Sequence, residues 1–362
     1  MAWRRGWTTV GSRLSRSPPA HRLREPPTPA DLLYLDTLSV AGLLDEIDVV
    51  ATVEDALRMN AVGETVLPAE AYLRWDVDDG WARSLTLPAA LGRPAYAAGI
   101  KVINGNVANP GRGVPRASGL ILLFDVETAQ VTTIMAAAQV SAMRTAAVSV
   151  AAVKRLAPRI VERALVVGAG PIGEAHARML GRAVASLGTI WSYDADGTRA
   201  VELAGRVEGV VAVEDWRSVV GRADVVIAAT TSTEAYLRLG DVAPGAIVVN
   251  VGLDDCAEDL LLGADHLVVD SWDLVADDRN RLLGRLIAAG AVLPPGVDAG
   301  TGGRQRVAGE LGRILAGAVE IVPKPEQRVV VNPFGMAVND IAVATAVDRL
   351  ARRGTAGQRL TR

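Results

Sequence analysis

The spacing of apolar positions changes near residue 160, and the change divides the chain into two kinds of segment. Before it, apolar stretches are short and punctuated by Gly and Pro. "DLLYLDTLSVAGLL", from Asp31, predicts a strand followed by a turn. "TVEDALRMNAVG" predicts a short helix with Thr52 as N-cap and Glu54 and Asp55 in its first turn. Between 66 and 131, "RSLTLPAAL", "AAGIKVI" and "ASGLILLFD" predict several strands. "SAMRTAAVSVAAVKRLA", about 141–157, predicts an alanine-rich helix ended by Pro158. Beyond it, "RALVVGAG", "GTIWSYD", "DVVIAATT", "AIVVNVG" and "HLVVDS" read as short buried strands separated by helical spacers. That alternation predicts a parallel sheet buried on both faces and wound with helices. A helix is predicted over about 305–317. "QRVVVNPFGMAVNDIAVATAVDRLA" then predicts a strand, a loop and a closing helix.

The first of the buried runs ends in Gly168-Ala169-Gly170-Pro171-Ile172-Gly173, a GxGxxG that follows a strand and opens a helix. In that context it is a dinucleotide fingerprint. The first glycine permits the turn, the second lets a pyrophosphate reach the backbone, and the third lets helix and strand pack closely. Asp194 ends the second strand, 26 residues after Gly168, where an acid binds a ribose 2′-hydroxyl and repels a 2′-phosphate. NAD is therefore the expected cofactor, with Asp196 a rival for the ribose role.

Composition narrows the rest. With 362 residues, half of them apolar, the chain holds two or three domains, each with ample core. Six arginines and no acid occupy residues 1–24, so the net charge of −3 hides a distinctly acidic body, which argues against a nucleic-acid groove. Residues 1–28 are expected to be a disordered tail rather than a transit peptide, since Pro18, Pro19, Pro26 and Pro27 break any amphipathic helix. No run of roughly 18 apolar residues suggests a membrane span. The single cysteine, Cys256, points to a reducing, cytoplasmic setting. Three histidines and one cysteine leave little for a zinc site, and no metal is expected.

Five motifs in order, "GIKVI", "GVPRASGLILLFD", "SAMRTAAVS", "GAGPIGEAHARML" and "NPFGMAVNDIA", resemble the ornithine cyclodeaminase/mu-crystallin family over roughly residues 30–350. "YLRW", "GVPRAS", "NVGLDD" and "VNPFG" resemble most the branch that acts on N-(2-amino-2-carboxyethyl)-L-glutamate and releases 2,3-diaminopropionate. The resemblance implies an α/β chain in which a Rossmann doubly wound parallel sheet is inserted into an α+β substrate and dimerisation domain. The expected divisions are 29–150 for the first part of that domain, 151–318 for the nucleotide domain and 319–352 for the return, with 353–362 a loose tail. A homodimer is implied.

Lys101 is one of only three lysines and lies in an apolar run. By resemblance it binds the substrate carboxylate and can polarise an imine. Arg144 and Arg74 are implied as further carboxylate partners, and Arg116 as partner for a second anionic group. Thr145 and Gly335 are implied on the cofactor side, Gly335 letting the backbone approach the nicotinamide. Asp254 or Asp255 is implied as acceptor of the amine proton, the competing role being an N-cap at the start of "DDCAEDLLL". Asp340 is expected as cap or ion-pair partner, and His176 as a packed helix residue. The family commonly has an acid just after the methionine nine residues before the arginine of "MRTAA". Here Ala136 follows Met135, which suggests a changed substrate. The expected activity is an NAD-dependent amine/imine hydride transfer on an N-substituted amino acid. Ornithine cyclodeamination to proline, cyclic imine reduction and a mu-crystallin-like binding role are the alternatives.

Overall fold

Two sheets share a set of helices between them. The computed structural model describes residues 31–78, 80–297 and 304–361. The expected N-terminal tail, 1–28, lies outside them.

The first sheet has eight strands. Across it run Gln358–Leu360, Leu32–Leu35, Val131–Ala136, Ala117–Phe124, Ala97–Asn106, Gly80–Leu91 and Thr65–Val66, with Ala71–Val77 also paired to Gly80–Leu91. All pairs are antiparallel except Leu32–Leu35 with Val131–Ala136. Residues facing one another across a ladder share a face. The register Leu87–Lys101–Ile121–Met135 therefore forms one row, buried under the helices Ala137–Leu156 and Ala337–Arg353. The opposite face carries Leu73, Trp75 and Leu120, 61%, 44% and 43% exposed.

The second sheet has nine strands, all parallel: Val210–Ala212, Thr189–Tyr193, Arg163–Val167, Val225–Ala228, Ile247–Asn250, Val329–Asn332, His266–Val269, Gln305–Glu310 and Val292–Leu293. Every residue of the three strands Val225–Ala228, Ile247–Asn250 and Val329–Asn332 is buried, as continuous apolar runs in a doubly covered sheet require. Arg163–Val167 sits where the strand order reverses, and the glycine loop leaves its carboxyl end. That crevice is where open α/β sheets bind ligands.

Ala137–Leu156 joins the two halves by packing on the first sheet and on the nucleotide helix Pro171–Ala183. Ala146, Ala147, Ala151 and Ala152 are fully buried along it, and small side chains allow that close approach.

Several expectations need correction. The predicted turn after Leu35 is a helix, Thr37–Leu44, capped by Asp36 through the Ser39 amide at 2.8 Å. Such a cap stabilises a helix by about 1 kcal/mol. The next helix, Val49–Ala61, starts earlier than predicted, with Asp48 rather than Thr52 as its cap. The predicted 305–317 helix is a strand, Gln305–Glu310, followed by a short helix, Leu311–Leu315. The return to the first domain comes later than residue 319, because Val329–Asn332 lies inside the parallel sheet. The supposed tail, 353–362, contributes an edge strand, with Leu360 opposite Leu32.

Candidate active site

The glycine loop has the geometry a pyrophosphate needs. Gly168 has φ +102°, and a Cβ there would stand 2.5 Å from the Ala229 carbonyl oxygen. A Cβ on Gly173 would lie 1.8 Å from the Gly168 carbonyl oxygen, so helix and strand meet backbone to backbone. Gly170 faces open space, and no side chain caps the helix that begins at Pro171. Its free amides are available to an anion. Ala169 donates its amide to Asp194 at 2.8 Å, and Asp196 donates to the other Asp194 oxygen at 3.0 Å. Asp196 itself caps Gly197–Arg206 through Thr198. Asp194 is thus the acid held at the loop, and Asp196 is a helix cap.

Thr145 hydrogen-bonds its own helix, donating to the Ser141 carbonyl at 2.7 Å. One turn on, Ser149 meets His176 Nε2 at 2.8 Å, and His176 Nδ1 meets the Ile172 carbonyl at 2.7 Å. Burial pulls the His176 pKa down to about 4, so the ring is neutral and packs the nucleotide helix onto its neighbour.

Three buried charges meet beside the crevice. Lys101, 1% exposed, places Nζ 2.8 Å from Asp340 Oδ2, and Arg144 places Nε 3.1 Å from Asp340 Oδ1. Ser141 Oγ lies 3.4 Å from Lys101 Nζ. Asp340 is fully buried in the first turn of Ala337–Arg353. Two cations share one carboxylate, so the cluster carries an excess positive charge suited to a substrate carboxylate. Burial lowers the Lys101 pKa to about 8; Asp340 opposes that fall and Arg144 adds to it.

The loop 333–335 closes over this cluster. Gly335 has φ +101°, and a Cβ there would lie 2.9 Å from an Arg144 guanidinium nitrogen. Asp270, at the carboxyl end of its strand, accepts from the Phe334 and Gly335 amides at 2.8 Å each. Arg281 donates to the Pro333 and Phe334 carbonyls at 2.9 and 3.1 Å and pairs with Asp278 at 3.2 Å. The loop is therefore clamped through its N–H groups from one side and its carbonyls from the other. Gly335→Ala should displace the guanidinium and strain the backbone. We expect the KM for substrate to rise about tenfold, the effect of losing roughly 1.4 kcal/mol, with NADH affinity changed less; steady-state kinetics beside a fluorescence titration test this.

The two aspartates expected to accept a proton are committed elsewhere. Asp255, fully buried, accepts from the Thr230 amide and hydroxyl and fills the space beside Gly252. Burial raises its pKa and the Thr230 bonds oppose the rise. Asp254 accepts from the Leu282 amide and pairs with Arg285 at 2.8 Å. It caps the helix Leu282–Ala288, whereas the helix Glu258–Gly263 begins after Ala257 without a side-chain cap. The charges acting most strongly on Lys101 are Asp340, Arg144 and Glu70.

Arg74 pairs in register with Arg83 on the Lys101 face of the sheet, and its guanidinium lies 4.6 Å from the Trp81 ring centre. Arg116 precedes the strand Ala117–Phe124, and burial and the charge of Arg83 both lower its pKa. Among the described residues the cations paired with Asp340 are Lys101 and Arg144, not Arg74 or Arg116.

Residues 33–354 match the model of the ornithine cyclodeaminase/mu-crystallin family. The chain belongs to that family. It is 28% identical over 342 residues to N-((2S)-2-amino-2-carboxyethyl)-L-glutamate dehydrogenase of Staphylococcus aureus, covering 91% of this chain and 98% of the relative. It is 25% identical over 332 residues to alanine dehydrogenase of Archaeoglobus fulgidus, with the same coverages. Among solved structures, CmnK superposes with a TM-score of 0.84 at 33% identity, covering 91% of this chain and 98% of that one.

Ala136, where the resemblance led us to expect an acid, pairs with Leu120 on the sheet face turned away from Lys101. Four groups escaped sequence reasoning: Glu70, Arg83, Asp270 and Arg281. Asp270 had a usable signal, since it ends an apolar strand at the carboxyl edge of the parallel sheet. Arg281, in "DDRNRLLG", looks like any charged loop residue.

Proposed function

We propose that this chain is an NAD-dependent dehydrogenase of an N-substituted amino acid carrying a second carboxylate. The buried Lys101–Asp340–Arg144 cluster, beside the carboxyl edge of a dinucleotide-binding sheet, carries this reading. The open position at Gly170, the uncapped helix start and Asp194 fit the pyrophosphate and ribose of NAD. When bound, the dinucleotide supplies the acceptor for a hydride. Lys101 and Arg144 hold the α-carboxylate and so fix the α-carbon, and Gly335 leaves room above Arg144. Much of the rate comes from that alignment. The similarity to the dehydrogenase of S. aureus supports an N-substituted substrate.

The second carboxylate has a place to go. Arg74 and Arg83 stand in register on the Lys101 face, Arg83 acts electrostatically on Arg116, and among the described residues none of the three has an acidic partner. Like charges held together without a counterion favour an anion. Arg83→Ala should raise the KM for a dicarboxylate substrate about tenfold, the value of roughly 1.4 kcal/mol, while turnover of L-alanine stays the same. Initial rates on both substrates check this.

Leu73, Trp75 and Leu120 on the opposite face support a homodimer, a reading that light scattering tests. A cytoplasmic setting agrees with the free Cys256; no helix among the described residues is long and apolar enough to cross a membrane.

The deciding experiment follows absorbance at 340 nm with NAD and a panel of N-(2-amino-2-carboxyethyl)-L-glutamate, L-alanine and L-ornithine, with product masses. NADH accumulating with the first of these is the expected result. Proline from L-ornithine without net NADH would establish a cyclodeaminase instead.

A further inference from the structure

The chemistry needs a group to take a proton from the reacting nitrogen, and the aspartates that sequence reasoning offered are occupied. Each neighbouring carboxylate has a fixed task. Asp340 holds Lys101 and Arg144, Asp270 holds the Phe334 and Gly335 amides, Asp278 pairs with Arg281, and Asp254 caps a helix.

Glu70 is different. It stands one residue before the strand Ala71–Val77, in which Ala71 opposes Thr86 and Thr86 opposes Val102. Continuing that register by one residue brings Glu70 level with Leu87 and Lys101, on the same face as Tyr72 and Arg74. Two strand spacings of about 4.8 Å separate its backbone from that of Lys101, a gap two long side chains can span. Glu70 is half-buried and makes no hydrogen bond or ion pair among the described residues. The charges acting on it come from both sides of the crevice: Lys101 and Arg144 from the first domain, Arg281 and Asp278 from the nucleotide domain. It is a carboxylate with free lone pairs where substrate and cofactor would meet.

We propose that Glu70 is the catalytic carboxylate that takes the proton from the reacting nitrogen of the substrate. The inference rests on the dehydrogenase reading above. An N–H bond of the substrate ammonium breaks and an O–H bond forms on Glu70, freeing the nitrogen lone pair. The α-carbon loses its hydrogen as hydride, with the electron pair, to a nicotinamide dinucleotide as oxidant, and the lone pair makes the C–N bond double. Water adds to the resulting iminium carbon and the C–N bond breaks, giving a keto acid and the second amine as its ammonium. Glu70 returns its proton to solvent, so one proton is released per turnover. Burial raises the Glu70 pKa above the ordinary carboxylate range, while Lys101, Arg281 and Arg144 limit the rise and Asp278 adds to it. Activity therefore rises with pH as Glu70 ionises.

The test compares the full-length enzyme with Glu70→Gln and Glu70→Asp on N-(2-amino-2-carboxyethyl)-L-glutamate across pH 5–9. Glu70→Gln should lower kcat by about 10²–10³-fold, in the range typical of general acid–base groups, and should lose the acidic limb of the pH profile. Glu70→Asp should restore part of both, and the KM for NAD should stay the same. A second readout needs no turnover. Calorimetric titration of the NADH-loaded protein with iminodiacetate at pH 6, in two buffers of different ionisation enthalpy, should show proton exchange that Glu70→Gln lacks. Glu70→Gln with near-normal kcat, an unchanged acidic limb or unchanged proton exchange would overturn the proposal and leave the dehydrogenase reading standing. An unaltered enzyme that turns over no amine substrate would remove both.

Discussion

Lys101→Met is expected to lower kcat/KM by about 30- to 5,000-fold, the consequence of losing roughly 2–5 kcal/mol when one member of a buried, hydrogen-bonded charge pair is truncated. Lys101 is 1% exposed and its ammonium lies against a fully buried Asp340, so no water can take its place. Arginine cannot substitute either, because its planar fork does not fit a point-charge site already shared with Arg144. The unaltered enzyme should show the same dependence as a function of pH. With the Lys101 pKa lowered to about 8 by burial, the ammonium loses its proton as pH rises, and kcat/KM should fall above about pH 8. The direction matters: the limb is a loss on the alkaline side, opposite to the acidic limb assigned to Glu70. Initial rates from pH 6 to 10 for Lys101→Met and the unaltered enzyme check both statements. An unchanged alkaline limb in Lys101→Met would show that another group sets it.

The two halves of the chain differed in how much the sequence showed. Parallel strands buried on both faces are apolar at nearly every position, so "RALVV" and "AIVVN" could be placed without knowing what covers them. Their order across the sheet is a matter of distant pairing, which is why Val329–Asn332 was assigned to the wrong domain. Thr37–Leu44 was missed because "TLSVAGLL" is apolar nearly all round and shows no helical stripe, although Asp36 was a legible cap. Lys101 stood out because a lysine in an apolar run must have a buried partner. Finding that partner, 239 positions away, took the structure. The Asp254–Asp255 pair shows the limit most plainly. A carboxylate at the carboxyl edge of a parallel sheet can serve a substrate or a helix, and Asp254 serves the helix that begins 28 residues later. Glu70 could not be ranked in advance, since its significance lies in the register that sets it level with Lys101.

Gly173→Ala and Gly170→Ala should both abolish dinucleotide binding, for different reasons that a melting experiment separates. At Gly173 the new methyl would stand 1.8 Å from the Gly168 carbonyl oxygen, a backbone atom in a turn that is itself pinned with φ +102° against Ala229. Neither side can yield without pulling the helix Pro171–Ala183 off its strand. Overpacking of this kind costs about 1–3 kcal/mol or more, so a lower Tm is expected even without cofactor. At Gly170 a methyl meets nothing within 4 Å, so the protein alone should melt normally. The open space there is where a pyrophosphate would contact the backbone, and the methyl would hold the phosphates off the helix amides. A fluorescence titration should show NADH affinity reduced by at least about 10²-fold in both variants, equivalent to roughly 2.7 kcal/mol. Retained NADH binding by Gly170→Ala would mean that the dinucleotide does not approach the loop at Gly170. A normal Tm for Gly173→Ala would mean that helix and strand can separate more easily than their backbone contact implies.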